Sequence, residues 1–166
     1  MDVKVAKTAG FCFGVKRAVE EVYKVAETTK GTVYTYGPII HNEEVVSDLE
    51  KKGVKVLETE EALKNLTEGT VIIRSHGVPK YIYELLEERN IAYVDVTCPF
   101  VLKIHRIVER ESKQGRHIII IGDPKHPEVV GIKGWCQGKA TIIKTKEDAK
   151  HFLAESGEKL CIVSQT

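Results

Sequence analysis

The sequence predicts an α/β protein built from tandem pseudo-repeated units, in which small parallel sheets are flanked by helices. Short runs of β-branched and aromatic residues alternate with segments whose apolar residues recur every three or four positions. Strands separated by helices pair in parallel and are covered by those helices. In addition, several landmarks of the first half of the chain recur in the same order in the second half.

The first half begins with a helix and then alternates strands with helices. Apolar residues from Val15 to Ala26 follow helical spacing. Gly53 is placed to cap a helix that begins near Asn42, and Pro79 stands at the first turn of a later helix. The further elements expected here are strands at residues 32–36, 54–57, 70–74 and 92–96 and helices at 60–66 and 79–88.

The second half continues the same alternation. The expected elements are helices at residues 100–113, 127–134 and 146–155 and strands at 117–121, 140–144 and 160–163. The natural boundary lies near Thr97 and Cys98, so a first unit covers residues 1–97 and a second unit covers 98–166.

The internal repeat is the most informative feature of the sequence. Landmarks of the first unit recur 84 to 87 residues later, which chance does not readily produce for an ordered series. The matched landmarks are Cys12 with Cys98, Gly37 and His41 with Gly122 and His126, Val45 and Val46 with Val129 and Val130, and Thr59 with Thr145. Each unit therefore runs from a cysteine through a helix and a strand to a loop of the form Gly-x-x-x-His.

The composition argues against two classes of function. With 30% charged residues and a formal net charge of +1, the 166-residue chain lacks the basic excess typical of a nucleic-acid binder. No run approaches the roughly 18 apolar residues that a membrane helix needs, and the first residues do not resemble a secretory leader. We therefore expect a cytoplasmic protein with neither a nucleic-acid nor a membrane partner.

Two of the four cysteines stand immediately before predicted helices. At Cys12 and Cys98 the helix dipole and free backbone N–H groups favour a thiolate, which is a good metal ligand. The alternative is that both are small buried hydrophobes, the usual fate of free cysteine, although their repetition favours the ligand role. Cys161 alternates within an apolar strand and is expected in the core, and Cys136 has no counterpart in the first unit.

Three histidines follow predicted strands. His41 and His126 end strand-to-helix loops, and His76 follows the strand at residues 70–74. Active sites of parallel sheets lie at the carboxyl ends of the strands, so these histidines are candidates for an anion pocket that takes phosphate or diphosphate. A single histidine in such a place is more often an ordinary loop residue, so the hypothesis depends on all three together. The histidines without this loop context, which we expect to be structural, are His105, His117 and His151.

One carboxylate accompanies the histidines. Glu128 follows His126 and Pro127, where it could exchange protons with a bound ligand. Its alternative role is that of an acidic residue in the first turn of a helix, which complements the helix dipole.

These motifs together resemble those of the 4-hydroxy-3-methylbut-2-enyl diphosphate reductases, the last enzymes of the non-mevalonate isoprenoid pathway. The resemblance covers all 166 residues in order. The motifs are Gly10-Phe-Cys-Phe-Gly-Val-Lys-Arg17, Tyr36-Gly-Pro-Ile-Ile-His-Asn42, Arg74-Ser-His-Gly77, Val96-Thr-Cys-Pro99, Gly122-x-x-x-His-Pro-Glu128 and Ser164-Gln-Thr166. Any one of them is a weak signal, whereas six in the same order are specific.

The resemblance implies a fold and a cofactor. The family folds as three similar α/β units in a trefoil-like arrangement, and each unit gives one cysteine to a central [4Fe–4S] cluster. Cys12 and Cys98 would be two of these ligands, and the cluster would keep one iron free for the substrate hydroxyl. Two of the three units are expected here, with residues 1–13 forming a strand that packs on the third.

The resemblance also implies roles for the remaining residues. His41, His76 and His126 would bind the substrate diphosphate. Glu128 would belong to the proton relay to the departing hydroxyl, and Thr166 would position that hydroxyl. The products would be isopentenyl and dimethylallyl diphosphate, and the electrons would come from a donor such as ferredoxin or flavodoxin.

The sequence departs from the family pattern in one respect. It ends before the family's third cysteine and its serine- and asparagine-rich diphosphate motif, so we expect the first two thirds of a family member, either a truncated piece or a split subunit, whose own activity is in doubt. Two other functions are compatible with the sequence. One is a non-redox diphosphate-binding α/β module, and the other is a mononuclear zinc site made by Cys12, Cys98 and neighbouring histidines.

Overall fold

A computed structural model describes residues 2–166, which form seven helices and seven strands. The helices are α1 Phe13–Thr28, α2 Glu43–Lys51, α3 Glu60–Lys64, α4 Lys80–Glu88, α5 Pro99–Lys113, α6 Pro127–Lys133 and α7 Lys146–His151. The strands are β1 Val33–Tyr36, β2 Lys55–Leu57, β3 Thr70–Ile73, β4 Ala92–Asp95, β5 His117–Ile121, β6 Ala140–Ile143 and β7 Leu160–Ser164. None of the helices in this part of the chain has the length and apolar character needed to cross a membrane.

Two parallel sheets confirm the predicted α/β class. The first has the strand order β2-β1-β3-β4 and the second has the order β6-β5-β7, and every pairing in both is parallel. The first strand of each unit in chain order is an inner strand of its sheet. β1 lies between β2 and β3, and β5 lies between β6 and β7. This shared order agrees with the internal repeat of the sequence.

Alternate residues of the first sheet contribute to two separate cores, because successive side chains of a strand point to opposite faces. On β3, fully buried Ile72 belongs to the cluster that contains Ala18 of α1, whereas Ile73 belongs to the cluster that contains Ile82 of α4. In the second sheet Ile120 packs with apolar residues of α5 and α6. Burying one such isoleucine contributes about 1.5–3 kcal/mol to the free energy of unfolding. Because buried residues pack helices onto both faces of the sheet, the strands and the loops at their ends are held in place.

Two predicted segments differ from the structure. Helix α7 ends at His151 rather than at residue 155, because Phe152 turns extended and its ring packs 5.5 Å from that of His117. Residues 2–12 form no strand here; the strand expected at residues 1–13 was one that packs on a third unit, and none of the described strands belongs to such a unit. A strand requires hydrogen bonds to a neighbouring strand, and no described strand pairs with this segment.

A buried histidine makes the fold sensitive to acid. His105 is 1% exposed, stacks on Trp135 with 5.2 Å between ring centroids, and has no hydrogen-bond partner for either ring nitrogen among the described residues. Burial lowers the pKa of His105 to about 4. The unfolded chain therefore takes up this proton near pH 6.5, whereas the folded chain does so only near pH 4.

We predict that His105→Phe flattens the acid side of the stability profile. Between pH 6.5 and 4 the unfolded state binds more protons than the folded state, so the free energy of unfolding falls as the pH falls, by at most about 3 kcal/mol for this group. Phenylalanine keeps the stacked ring and removes the titration. Urea unfolding of both proteins from pH 7.5 to 4.5 measures the effect, and identical pH profiles would contradict it.

Candidate functional site

The sequence-predicted site residues converge at the carboxyl ends of the strands. His41 follows β1, His76 follows β3, Cys98 follows β4 and His126 follows β5, as expected for parallel sheets. A pocket of about 200 Å³ opens between the two sheets. It is lined by Cys12, Val15, Ser75, His76, Cys98, Val101, His126, Glu128, Gln165 and Thr166.

A larger open hollow of about 490 Å³ lies beside this pocket, on the α2 side of His41. Of the predicted site residues, only His41 lines it, and its other walls come from the Pro38 loop and the first turns of α2. The groups capable of chemistry therefore concentrate in the smaller pocket, where both cysteines lie.

Both candidate cysteine ligands occupy the N-cap position of a helix. Cys12 caps α1 and Cys98 caps α5, and neither side chain makes a capping hydrogen bond. The Sγ atom of Cys98 lies over the first turn of α1, since a Cβ atom on Gly14 would come within 2.6 Å of it. The two thiols thus face one pocket and are free to bind a ligand.

The other two cysteines lie elsewhere. Cys136 and Cys161 pack against the apolar cluster of the second sheet, as the sequence indicated for Cys161. Burial raises the pKa of the Cys161 thiol, which disfavours the thiolate form that binds metals.

The three histidines form a cluster. Their ring centroids are 4.7 Å apart for His41 and His76, 5.5 Å for His76 and His126, and 5.9 Å for His41 and His126. One ring nitrogen from each lies within 4.8 Å of the others. Three imidazoles at this spacing can contact one small anion, or can bind one metal ion.

The electrostatics of the cluster favour an anion. Burial lowers the pKa of His76 to about 4, with further lowering by His41, Arg74 and His126, so this ring is neutral at neutral pH. The buried Nε atom of Arg74 has no hydrogen-bond partner among the described residues, and the guanidinium lies 5.9 Å from the centre of the Tyr36 ring. Burial also lowers the pKa of Arg74, which marks the loss of hydration around this cation. A bound anion would offset the charge of the Arg74 guanidinium, which burial has stripped of water.

Glu128 and Thr166 form a hydrogen-bonded pair at the wall of the pocket. The Thr166 backbone N–H donates to Glu128 Oε1 at 2.8 Å, and its hydroxyl lies 3.0 Å from each carboxylate oxygen. Glu128 is only 3% exposed, and its own N–H donates to His126 Nδ1 at 3.2 Å. The pair links the end of β7 to the first turn of α6.

Sequence reasoning missed Ser75, which ties three site loops together. Its hydroxyl donates to the carbonyl of Ile39 at 3.1 Å, and its own carbonyl accepts from the N–H of Cys98 at 2.9 Å. The loops of His41, His76 and Cys98 are therefore joined through one residue. Its position in the Arg-Ser-His-Gly motif was a sequence signal, but the two backbone partners depend on the folded chain.

Comparison with known proteins identifies relatives across the chain. A family model described as LytB protein matches residues 3–166. The 4-hydroxy-3-methylbut-2-enyl diphosphate reductase of Caldanaerobacter subterraneus subsp. tengcongensis is 51% identical over 167 residues, which cover 100% of this chain and 57% of the relative. The reductase of the same name from Alkaliphilus oremlandii is 50% identical over 169 residues, which cover 100% of this chain and 58% of the relative.

Two solved structures share the fold. The E-1-hydroxy-2-methyl-but-2-enyl-4-diphosphate reductase of Plasmodium falciparum superimposes with a TM-score of 0.89 at 31% identity, over 96% of this chain and 50% of that one. A structure described as (E)-4-hydroxy-3-methyl-but-2-enyl diphosphate reductase, the terminal enzyme of the non-mevalonate pathway, gives a TM-score of 0.82 at 40% identity, over 99% of this chain and 58% of that one. The chain thus spans between half and about three fifths of the length of these relatives.

Proposed function

Because this chain belongs to the LytB family, we propose that its pocket serves the reductive dehydroxylation of 4-hydroxy-3-methylbut-2-enyl diphosphate. In this reaction the allylic C–O bond breaks, a C–H bond forms, and the oxygen leaves as water. Two electrons and two protons enter, and the products are isopentenyl and dimethylallyl diphosphate. The observation that supports the proposal is that two free thiols, three histidines and a carboxylate lie around adjoining parts of one site.

Cys12 and Cys98 would hold an iron–sulfur cluster, which we propose to be of the [4Fe–4S] type. The residues fit this group: both thiols lie at helix N-termini without a capping bond, and Gly14 leaves room for the Cys98 sulfur. When bound, such a cluster supplies electrons singly and an open coordination position for a hydroxyl. A further thiolate must come from outside residues 2–166, since Cys136 and Cys161 pack against the second core.

The histidine cluster would bind the diphosphate. His41, His76 and His126 can each donate a ring N–H to a phosphate oxygen, and protonation of a ring adds charge to that bond. Because His126 Nδ1 accepts the N–H of Glu128, the proton of the neutral ring resides on Nε2, where it is available to the ligand. Arg74 adds a positive field to the same side of the site.

Glu128 would supply the proton that the leaving oxygen needs, and Thr166 would position that oxygen. The Thr166 hydroxyl already makes hydrogen bonds to the Glu128 carboxylate. It can also contact the substrate hydroxyl and so bridge the two groups. The carboxylate end of this path is shielded from solvent, because Glu128 is almost fully buried. Thr166 thus orients the oxygen and Glu128 exchanges the proton.

The proposal also names a cell compartment and an electron donor for the reaction. We assign it to the cytoplasm, where a reducing environment keeps cysteines such as these free. The electrons would arrive one at a time from a carrier such as ferredoxin or flavodoxin.

The test uses a completed hybrid, in which this chain is extended by the C-terminal part of the Caldanaerobacter relative that it does not cover. Purified without oxygen and given a chemical one-electron reductant, the hybrid should convert the hydroxylated diphosphate into the two isoprenoid diphosphates, which chromatography separates. Failure to form either product from a hybrid that is folded and loaded with cluster would overturn the proposal.

A non-redox diphosphate-binding module is the second candidate function. It is favoured by the histidine cluster, because that cluster is complete within this chain and does not involve the cysteines. Under this alternative the hybrid would bind diphosphates with or without iron and would reduce none of them. A mononuclear zinc site would instead appear as bound zinc without sulfide.

We predict that inorganic diphosphate binds the metal-free chain and that His126→Ala weakens this binding about tenfold or more. Loss of one hydrogen bond to a charged group costs about 1.5–3 kcal/mol, which corresponds to that factor. His151→Ala is the matched control, because His151 is an exposed histidine at the end of α7. Calorimetry at low salt measures both. Equal weakening by the two substitutions would argue against the histidine cluster as the anion site.

A further inference from the structure

We infer that Arg17 is the positioning residue that fixes the second cysteine, Cys98, relative to the first. The inference rests on the proposed function in that it treats Cys98 as a cofactor ligand. Arg17 belongs to the first sequence motif but has no part in the functions considered above. It lies on α1, about one and a half turns after Cys12, which caps the same helix.

Arg17 contacts the peptide group that leads into Cys98. Its Nη2 atom donates to the carbonyl oxygen of Thr97 at 2.8 Å, across 80 positions of sequence. Thr97 is fully buried, so this carbonyl has to find a partner within the protein. On the opposite side of the same peptide group, the N–H of Cys98 donates to the carbonyl of Ser75 at 2.9 Å.

A peptide group held on both sides leaves little freedom for the next side chain. Because the group is planar, bonds to its oxygen and to its N–H together fix its orientation. The Cys98 backbone is restricted further by Pro99, which keeps the preceding residue extended, as the angles φ −56° and ψ 132° show. The remaining freedom is the rotation of the thiol about one bond.

Asp95 supports the same arrangement from the end of β4. Its Oδ1 atom accepts the N–H of Thr97 at 2.9 Å and also the Thr97 hydroxyl, while Oδ2 accepts the hydroxyl of Tyr83 at 3.1 Å. Thr97 is therefore bound through its N–H and side chain by Asp95 and through its carbonyl by Arg17. Of these two partners, only Arg17 lies on the helix that carries Cys12.

The environment of Arg17 indicates a role other than stability. Its Nε atom is buried without a hydrogen-bond partner in the described part of the chain, which costs on the order of 1–3 kcal/mol. The one described hydrogen bond of the guanidinium is the one to Thr97. Since α1 carries Cys12 at its start, this bond couples the separation of the two thiols to a rigid helix.

The test measures the separation of the thiols without any cofactor. The metal-free chain is treated with a short bifunctional thiol reagent, and the Cys12–Cys98 link is quantified by peptide mass spectrometry. We expect Arg17→Met to lower the rate of this link on the order of tenfold, the factor that corresponds to losing one charge-assisted hydrogen bond. Asp95→Asn, which keeps the side-chain shape, should lower it in the same direction and less.

Arg89→Met is the matched control. Arg89 also donates an Nη2 hydrogen bond to a backbone carbonyl, that of Leu66 at 3.2 Å, but this contact lies away from the pocket residues. It should leave the rate of the link unchanged while removing a contact of the same kind. If Arg17→Met and Arg89→Met link at the wild-type rate, or if both slow it equally, Arg17 has no positioning role.

The outcome can be separated from the fate of the proposed function. A link that depends on Arg17, in a chain whose completed hybrid takes up no iron, would uphold the positioning role and overturn the cluster assignment. The opposite outcome is a hybrid that takes up iron and reduces its substrate, while Arg17→Met changes neither the link nor the cluster spectrum. It would uphold the cluster assignment and overturn the positioning role.

Discussion

Substitution of Cys98 by serine should remove the iron–sulfur cluster from the completed hybrid and lower its reductase activity by at least about a thousandfold. The proposal makes the Cys98 thiolate a ligand, and the hydroxyl of serine is not a substitute for it. Serine is close in size to cysteine, and the Cys98 side chain makes no capping bond that the change would remove. The fold should therefore remain intact while the metal site fails. Visible absorption and product formation, measured without oxygen, report the two effects.

Cys161→Ser is the matched control for this substitution. Cys161 packs against the second core cluster, and burial raises the pKa of its thiol. This variant should keep its colour and its activity, although it will lose some stability because a hydroxyl replaces a partly buried thiol. Loss of the cluster from both variants to the same extent would mean that Cys98 has no special role as a ligand. Cys12→Ser should behave as Cys98→Ser does.

Glu128→Gln should lower the turnover of the completed hybrid by about a hundredfold to ten-thousandfold, the range typical of a lost general acid or base. Glutamine can still accept the hydrogen bonds of Thr166 through its amide oxygen, so the geometry of the pair is largely preserved. It cannot exchange a proton. The affinity for diphosphate should stay within about threefold of the wild-type value, since the proposal assigns those contacts to the histidines. Turnover and binding are measured on the same preparations.

Glu44→Gln controls for the general effect of removing an acid near a helix N-terminus. Glu44 is the second residue of α2, as Glu128 is of α6, but it is exposed. Its loss should weaken the helix by about 0.3–1 kcal/mol and leave turnover unchanged. A similar fall in turnover for both variants, or a turnover of Glu128→Gln close to that of the wild type, would remove Glu128 from the proton relay.

The fold could be predicted because its local signals agree with its packing. Gly53 illustrates this. It follows α2 at φ 89°, its N–H donates to Glu50, and the N–H of Val54 donates to Leu49, which is the capping motif that a glycine in this place predicts. Histidines that end separate loops could be expected to meet for a similar reason, since parallel strands bring their carboxyl ends to one edge.

The parts that could not be predicted depend on tertiary contacts. The helical pattern continues past His151, but Phe152 packs on His117, and Glu158 hydrogen-bonds to the same histidine at 3.0 Å, which keeps the following segment extended or turned. The hydrogen bond from Arg17 to Thr97 could not be predicted from the sequence either. It joins a side chain to a backbone oxygen, and no property of the residue type at position 97 records which carbonyl is left to be satisfied.

The proposal depends most directly on the metal content of the completed hybrid purified without oxygen. Iron, zinc and acid-labile sulfide are measured on one sample together with its visible spectrum. We predict about four irons and four sulfides per chain with a broad brown absorption band, as a [4Fe–4S] cluster requires. Zinc without sulfide, or a colourless protein that binds diphosphate and no metal, would contradict the assignment of Cys12 and Cys98 as cluster ligands.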